Sequence, residues 1–179
     1  MTVFTNPSQG TQEETDAYVQ ALLGLLGDQD PLAVLERFPQ DVRRTAAGLS
    51  DAQLRTPEAP GKWSIVEVLQ HLADAELVWS VRVRMALGED APPLTGYDQD
   101  AWATRMRYRD ASPEVALALL EVLRAFNLRL LRSLTPEEWR RVAVHEERGE
   151  ESVEHMARLY AGHDLVHLRQ LRRIRDAAF

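Results

Sequence analysis

Apolar residues in this chain recur three and four positions apart, and they do so in several long runs. The best defined opens where Ser64 precedes Glu67 by three residues. It continues through Ile65, Val68, Leu69, Leu72, Ala75, Trp79 and Val83. Side chains at that spacing share one face of an α-helix, because each residue turns the chain by about 100°. The Ser64/Glu67 pair is a capping-box signature, which satisfies N–H groups that a helix start leaves open. The spacing predicts a helix from Ser64 to about Leu87, stopped at Gly88. Strand-like alternation is scarce. A chain of this kind must bury helix stripes against helix stripes.

The other runs fit the same scheme. Ala17, Tyr18, Ala21, Leu22 and Leu25 mark a first helix that Gly27 ends. Leu32, Leu35, Phe38, Val42 and Ala46 mark a second, which Pro39 is expected to break or kink. Pro57, Pro60 and Gly61 make 50–62 a connection. Ser112 followed by Pro113 is a strong helix start, with Val115, Leu119, Val122, Leu123, Phe126, Leu130 and Leu134 as the expected buried face. Thr135 to Glu138 caps a short turn carrying Trp139. After a polar stretch, a last helix runs from Ser152 to about Ile174 with Val153, Met156, Ala157, Tyr160, His163, His167, Leu171 and Ile174 in its stripe. Residues 88–111 form a connection long enough to cover a site or to cross between parallel helices.

The chain has 179 residues, which suits a single domain over 1–179, with the polar residues 1–12 expected to be flexible. No apolar run approaches the ~20 residues a membrane crossing needs, and residues 1–12 lack the pattern of a signal peptide. The cytoplasm is the expected location. Cysteine is absent, which removes disulfides, thiolate ligands and a cysteine nucleophile together. The formal charge of −7 argues against a nucleic-acid surface.

His163 and His167 interrupt a stripe that otherwise holds apolar side chains. Four residues apart on a helix, two imidazoles lie one turn apart on nearly one face and can share a metal ion. Two ligands are too few for a firm site. His71, at the edge of the stripe that Ser64 opens, is the candidate third. Glu76 and Asp164 are candidate acceptors for the outer N–H groups of bound imidazoles, although a solvated or salt-bridged side chain is the simpler reading of Asp164. His145 and His155 are assigned to solvent or to the surroundings of the site, and Arg82 and Arg84 to surface charges or helix pairs. Tyr97, Asp98, Asp100 and Trp102, in a polar-aromatic cluster, either line a pocket mouth or pin the long connection to the bundle.

Taken in order, Pro60-Gly61-Lys62-Trp63-Ser64 with Glu67, His71-Leu72-Ala73-Asp74-Ala75-Glu76, Tyr97-Asp98-Gln99-Asp100 and His163-Asp164-Leu165-Val166-His167-Leu168-Arg169-Gln170 resemble the DinB/YfiT-like superfamily. The likeness spans residues 30–174. It implies an all-α fold: a four-helix bundle of up-down-down-up topology, here with an extra N-terminal helix. It also implies a metal triad of His71, His163 and His167 holding one divalent ion, zinc or nickel first, iron or manganese next. Relatives of this kind include thiol-dependent S-transferases, isomerases and proteins described as metal-dependent hydrolases, and many form dimers. The resemblance therefore points to a metal-dependent enzyme acting on a small electrophile in stress or detoxification, with a low-molecular-weight thiol as co-substrate or water in its place, and to a homodimer. A non-catalytic, metal-stabilised bundle serving as an interaction or ligand-binding protein is the competing expectation. No nucleic acid or membrane partner is expected.

Overall fold

The computed structural model describes residues 10–177. Among the described residues, eight helices and three short strands follow one another: α1 (Gln12–Leu26), α2 (Pro31–Ala46), α3 (Asp51–Arg55), α4 (Ile65–Gly88), β1 (Pro93–Leu94), α5 (Gln99–Arg105), a 3₁₀ turn (Tyr108–Asp110), α6 (Pro113–Leu131), α7 (Pro136–Trp139), β2 (Val142–His145), β3 (Gly149–Ser152) and α8 (Val153–Ala177). Most of residues 1–12, expected to be flexible, lie outside the described residues. Thr11 is already the cap of α1, where it forms a capping box with Glu14.

The helix starts are where the caps predict. Ser64 accepts from the Glu67 N–H while the Glu67 carboxylate accepts from the Ser64 N–H at 2.8 Å. Ser112 caps α6 with Pro113 behind it. Pro39 does not end α2, which runs unbroken through it. A proline inside a helix leaves the carbonyl four residues earlier without its donor. That carbonyl belongs to Leu35, and the Arg124 guanidinium, reaching in from α6, donates to it at 2.7 Å. The connection 50–62 contains the short α3, capped by Ser50 and Gln53.

Four long helices close a ring in which α2 packs on α8 and α6, and α4 packs on the same two. Residue pairs give their directions. Arg43–Glu121 and Arg132–Glu36 run α2 against α6. Glu76–Arg124 and Arg84–Asn127 run α4 with α6. The ring pairs His71–His167 and Trp79–Tyr160 run α4 against α8. This is the up-down-down-up bundle, and α1 is the extra helix, laid along α8. Because α4 and α6 are parallel, the chain must return the length of the bundle between them, and 89–112 does so. That return is not structureless, since it contains β1, α5 and the 3₁₀ turn. β1 pairs in parallel with β2, and β2 and β3 form an antiparallel hairpin, so the stretch 142–152 is a small sheet rather than a polar loop.

The buried face of α6 differs from expectation. Val115 and Val122 are 67% exposed and Phe126 47%. The buried side chains are instead Ala116, Leu117, Leu120, Arg124, Asn127, Leu128 and Leu131. Both faces carry apolar residues, so periodicity alone did not separate them. Polar chemistry decides the rotation, because Arg124 and Asn127 have buried carboxylates to meet.

Candidate metal centre and its cavity

α4 and α8 cross antiparallel, which brings His71 up to His163 and His167. The Nε2 atoms of His71 and His163 are 3.3 Å apart, and one nitrogen from each of the three rings lies within 4.8 Å of the others. Two nitrogens bound to one tetrahedral ion at about 2.0–2.1 Å would be separated by about 3.3–3.4 Å. His167 holds its Nδ1 against Gln170 Oε1 at 2.8 Å. A glutamine oxygen only accepts, so the proton is on Nδ1 and the lone pair is on Nε2. Burial drives His71 and His163 well below the ordinary histidine range and His167 down to about 4. All three are therefore neutral near pH 7, the form that binds a metal. Buried polar atoms normally have partners, yet no described group hydrogen-bonds Nδ1 of His71 or of His163. Three neutral, converging donors fit a divalent ion.

Gln170 was missed in the sequence. Its signal was present: three residues after His167 on a helix, it shares that histidine's face. Trp63, just ahead of the α4 cap, packs its ring 5.0 Å from the ring of His71. Tyr160 stacks on Trp79 at 4.5 Å and on His163 at 5.4 Å.

Glu76 and Asp164 do not orient the imidazoles. Both are fully buried and both bind Arg124, which donates to Glu76 Oε2 at 2.8 Å and to Asp164 Oδ2 at 2.7 Å. Asn127 donates to the other Glu76 oxygen at 2.8 Å and to Ser80. Facing two carboxylates, one guanidinium cannot balance both, and burial pushes the Asp164 carboxyl up to about 7 despite Arg124. Asp164 was expected to be solvated or salt-bridged; it is salt-bridged and completely buried.

His71 and His163 open on a cavity walled by α1 (Tyr18, Val19, Leu22), α4 (Ala75, Val78, Trp79, Arg82), the return segment (Tyr97, Gln99), the hairpin (Arg148, Glu151) and α8 (Met156, Leu159, Tyr160). α1 can close this wall because α8 has Gly162 beside His163. A Cβ there would overlap the Leu22 carbonyl. Of the aromatic cluster, Tyr97 lines the cavity and Trp102 packs on it at 4.4 Å. Asp98 caps α5 by accepting from the Asp100 and Ala101 N–H groups, and both Asp98 and Asp100 are exposed. Arg82 is not a surface charge, since it lines the cavity, whereas Arg84 pairs with Asn127 and lies over Phe126. His145 is buried, 1% exposed, rather than solvated; its Nδ1 accepts from the Glu147 N–H. His155 is half-buried.

Three converging histidines from two helices of a bundle, two of them lining a cavity, define a metal-binding helical-bundle protein. Residues 34–171 match the DinB superfamily, and the chain belongs to it. It is 32% identical over 138 residues to "Putative metal-dependent hydrolase YfiT" of Bacillus subtilis (strain 168), covering 76% of this chain and 78% of that protein. A protein bearing the same description in Geobacillus kaustophilus (strain HTA426) is 32% identical over 148 residues, covering 82% and 83%. The solved structure of YfiT, described as "a probable metal-dependent hydrolase with an unusual four-helix bundle topology", superposes with a TM-score of 0.71 at 29% identity, over 91% of this chain and 88% of that one. No helix among the described residues is long and apolar enough to cross a membrane.

Proposed function

We propose that this protein is a metal-dependent enzyme that joins a low-molecular-weight thiol to a small electrophile. The observation that supports it best is the convergence of His71, His163 and His167, the first two of which line a cavity with aromatic, apolar and charged walls. These three residues would hold one divalent ion through Nε2, with positions left over for a reactant. When bound, such an ion supplies Lewis acidity that lowers the pKa of a thiol or a water. The chain contains no cysteine, so the sulfur nucleophile arrives from solution.

The protein's own side chains prepare the place. Gln170 fixes the tautomer and the ring plane of His167. Trp79 and Tyr160, stacked with 3° between their planes, form an aromatic wall of the cavity beside His163. Tyr18, Leu22 and Tyr97 line the chamber on its α1 and return-segment sides. Hydrolysis is the second reading, favoured by the description that the relatives carry; the same centre would then hold water in place of the thiol.

Metal analysis of the purified protein beside His163→Ala tests the centre: about one divalent ion per chain is expected in wild type, and a marked loss in the variant. Full metal in His163→Ala, or none in wild type, overturns the reading. For the reaction, the loaded protein is offered a panel of thiols with a chlorodinitrobenzene-type electrophile. A rate no higher than that of the triple-alanine variant of His71, His163 and His167 rejects thiol transfer, and inert thiols with turnover of activated esters select hydrolysis.

A further inference from the structure

We infer that the end of the cavity away from the histidines is a carboxylate seat, in which Arg82, flanked by Arg148, holds the acidic end of an elongated substrate whose reacting atom lies at the three histidines. This rests on the reading of the histidine cluster as the reactive centre. Three observations carry it. The lining includes two arginines and one carboxylate, Arg82 and Arg148 against Glu151, with its histidines neutral. The side chains of the lining thus sum to one positive charge inside a protein of net charge −7, which favours an anionic group on the ligand.

The two arginines are not equivalent. Arg148 is neutralised by Glu151, which accepts from its Nε at 2.6 Å and from its Nη2 at 3.0 Å. Arg82 donates to the Thr95 carbonyl and has no carboxylate within ion-pair distance among the described residues. Burial and the neighbouring Arg148 hold its guanidinium below the ordinary arginine range, while Tyr97, Glu151 and Glu147 pull the other way. A planar fork of donors that is partly buried and short of an anion suits bidentate carboxylate recognition.

Spacing supplies the third observation. Arg82 follows His71 by eleven residues on one helix, which places their Cα atoms about 16 Å apart. Both line one chamber, with Ala75, Val78 and Trp79 between them. At about 3.3–3.6 Å per residue, that Cα separation equals roughly four to five extended residues, and the inward reach of the His71 and Arg82 side chains shortens what a ligand must span to a short peptide.

The test is calorimetry on the metal-loaded protein with S-methylglutathione, which keeps its carboxylates but has no free thiol, and with its diethyl ester. The acid is expected to bind wild type about ten- to a hundredfold more tightly than Arg82→Gln, the range for losing a charge-assisted pair. The ester should bind both weakly and alike. Equal binding of acid and ester, equal binding by wild type and variant, or no binding overturns the seat. If Arg82→Gln fails to fold, the acid–ester difference on wild type decides. Stronger competition by inorganic phosphate than by acetate overturns the carboxylate assignment. A parallel titration of cobalt-loaded protein with glutathione separates this proposal from the thiol reading. A cobalt spectrum that shifts equally in wild type and Arg82→Gln, with acid and ester bound alike, removes the seat and keeps the thiol. Arg82-dependent binding of the acid, with no spectral change from the free thiol, keeps the seat and removes the thiol.

Discussion

Two polar clusters are buried between α4 and α8, and they meet the cost of burial in opposite ways. Around Arg124, the guanidinium, Glu76, Asp164, Asn127 and the Leu35 carbonyl are joined by hydrogen bonds of 2.7–3.2 Å. Around His71, Nδ1 of two of the three rings has no hydrogen-bond partner among the described residues, and two Nε2 atoms face each other. Satisfied groups hold helices in place, whereas the Nε2 atoms that face one another across 3.3 Å are available to a ligand. The first cluster ties α2, α4, α6 and α8 together at one point. The second uses the alignment so fixed to bring its nitrogens together.

The largest effect expected from breaking this contrast is in the Arg124 cluster. Arg124→Leu strands two buried carboxylates, and loss of one partner of a buried pair costs about 3–5 kcal/mol. Denaturant unfolding should show a shift of that order, with metal content falling along with the fold. A shift below about 1 kcal/mol would mean that the network is not a clamp.

Gln170→Ala should act on the other cluster alone. Removing the acceptor behind a metal-bound imidazole typically weakens metal affinity about 10- to 100-fold. Competition with a chelator should register that loss, while the unfolding midpoint of metal-free protein stays where it was. Unchanged affinity would remove Gln170 from the site.

The smallest expected effect concerns His145. Burial, with Arg148 and then Arg82 adding to it, lowers this imidazole to about 4, against about 6.5 in the unfolded chain. Between those values the unfolded state holds more protons, so acidification favours unfolding. Stability from this residue is complete above about pH 6.5 and is lost as pH falls towards 4. Melting of metal-free His145→Gln should therefore lose less on going from pH 7 to pH 5 than wild type does, by a few °C at most. Parallel pH profiles would mean that His145 does not titrate as a buried group.

The extents of α4 and α8 were legible from their period and, for α4, its cap, and the stripe read on α4 is buried although Leu77 and Val81 on another face are apolar and exposed. The histidines stood out for the same reason, as exceptions to an otherwise uniform face. α6 has two apolar faces, and the one that reads as more hydrophobic, Val115, Val122 and Phe126, points to solvent. What reverses that choice is Arg124, a residue that looks like a surface charge until its two carboxylates on other helices are known. Arg82 was misread likewise. Pro39 offered the one local hint, since a proline in a helix frees a carbonyl, but not which side chain would come to it.

The sequence by itself determined the long helices and their caps, the absence of cysteine chemistry and the pairing of His163 with His167, because these depend on composition or on neighbours within a few residues. Only the tertiary structure decided which face of α6 turns inward, that α1 presses on Gly162 to wall the cavity, and that Glu76 and Asp164 serve Arg124 rather than the histidines. Those outcomes depend on pairing charges from helices 40 and 48 residues apart in the chain. Periodicity along one helix carries no record of such partners.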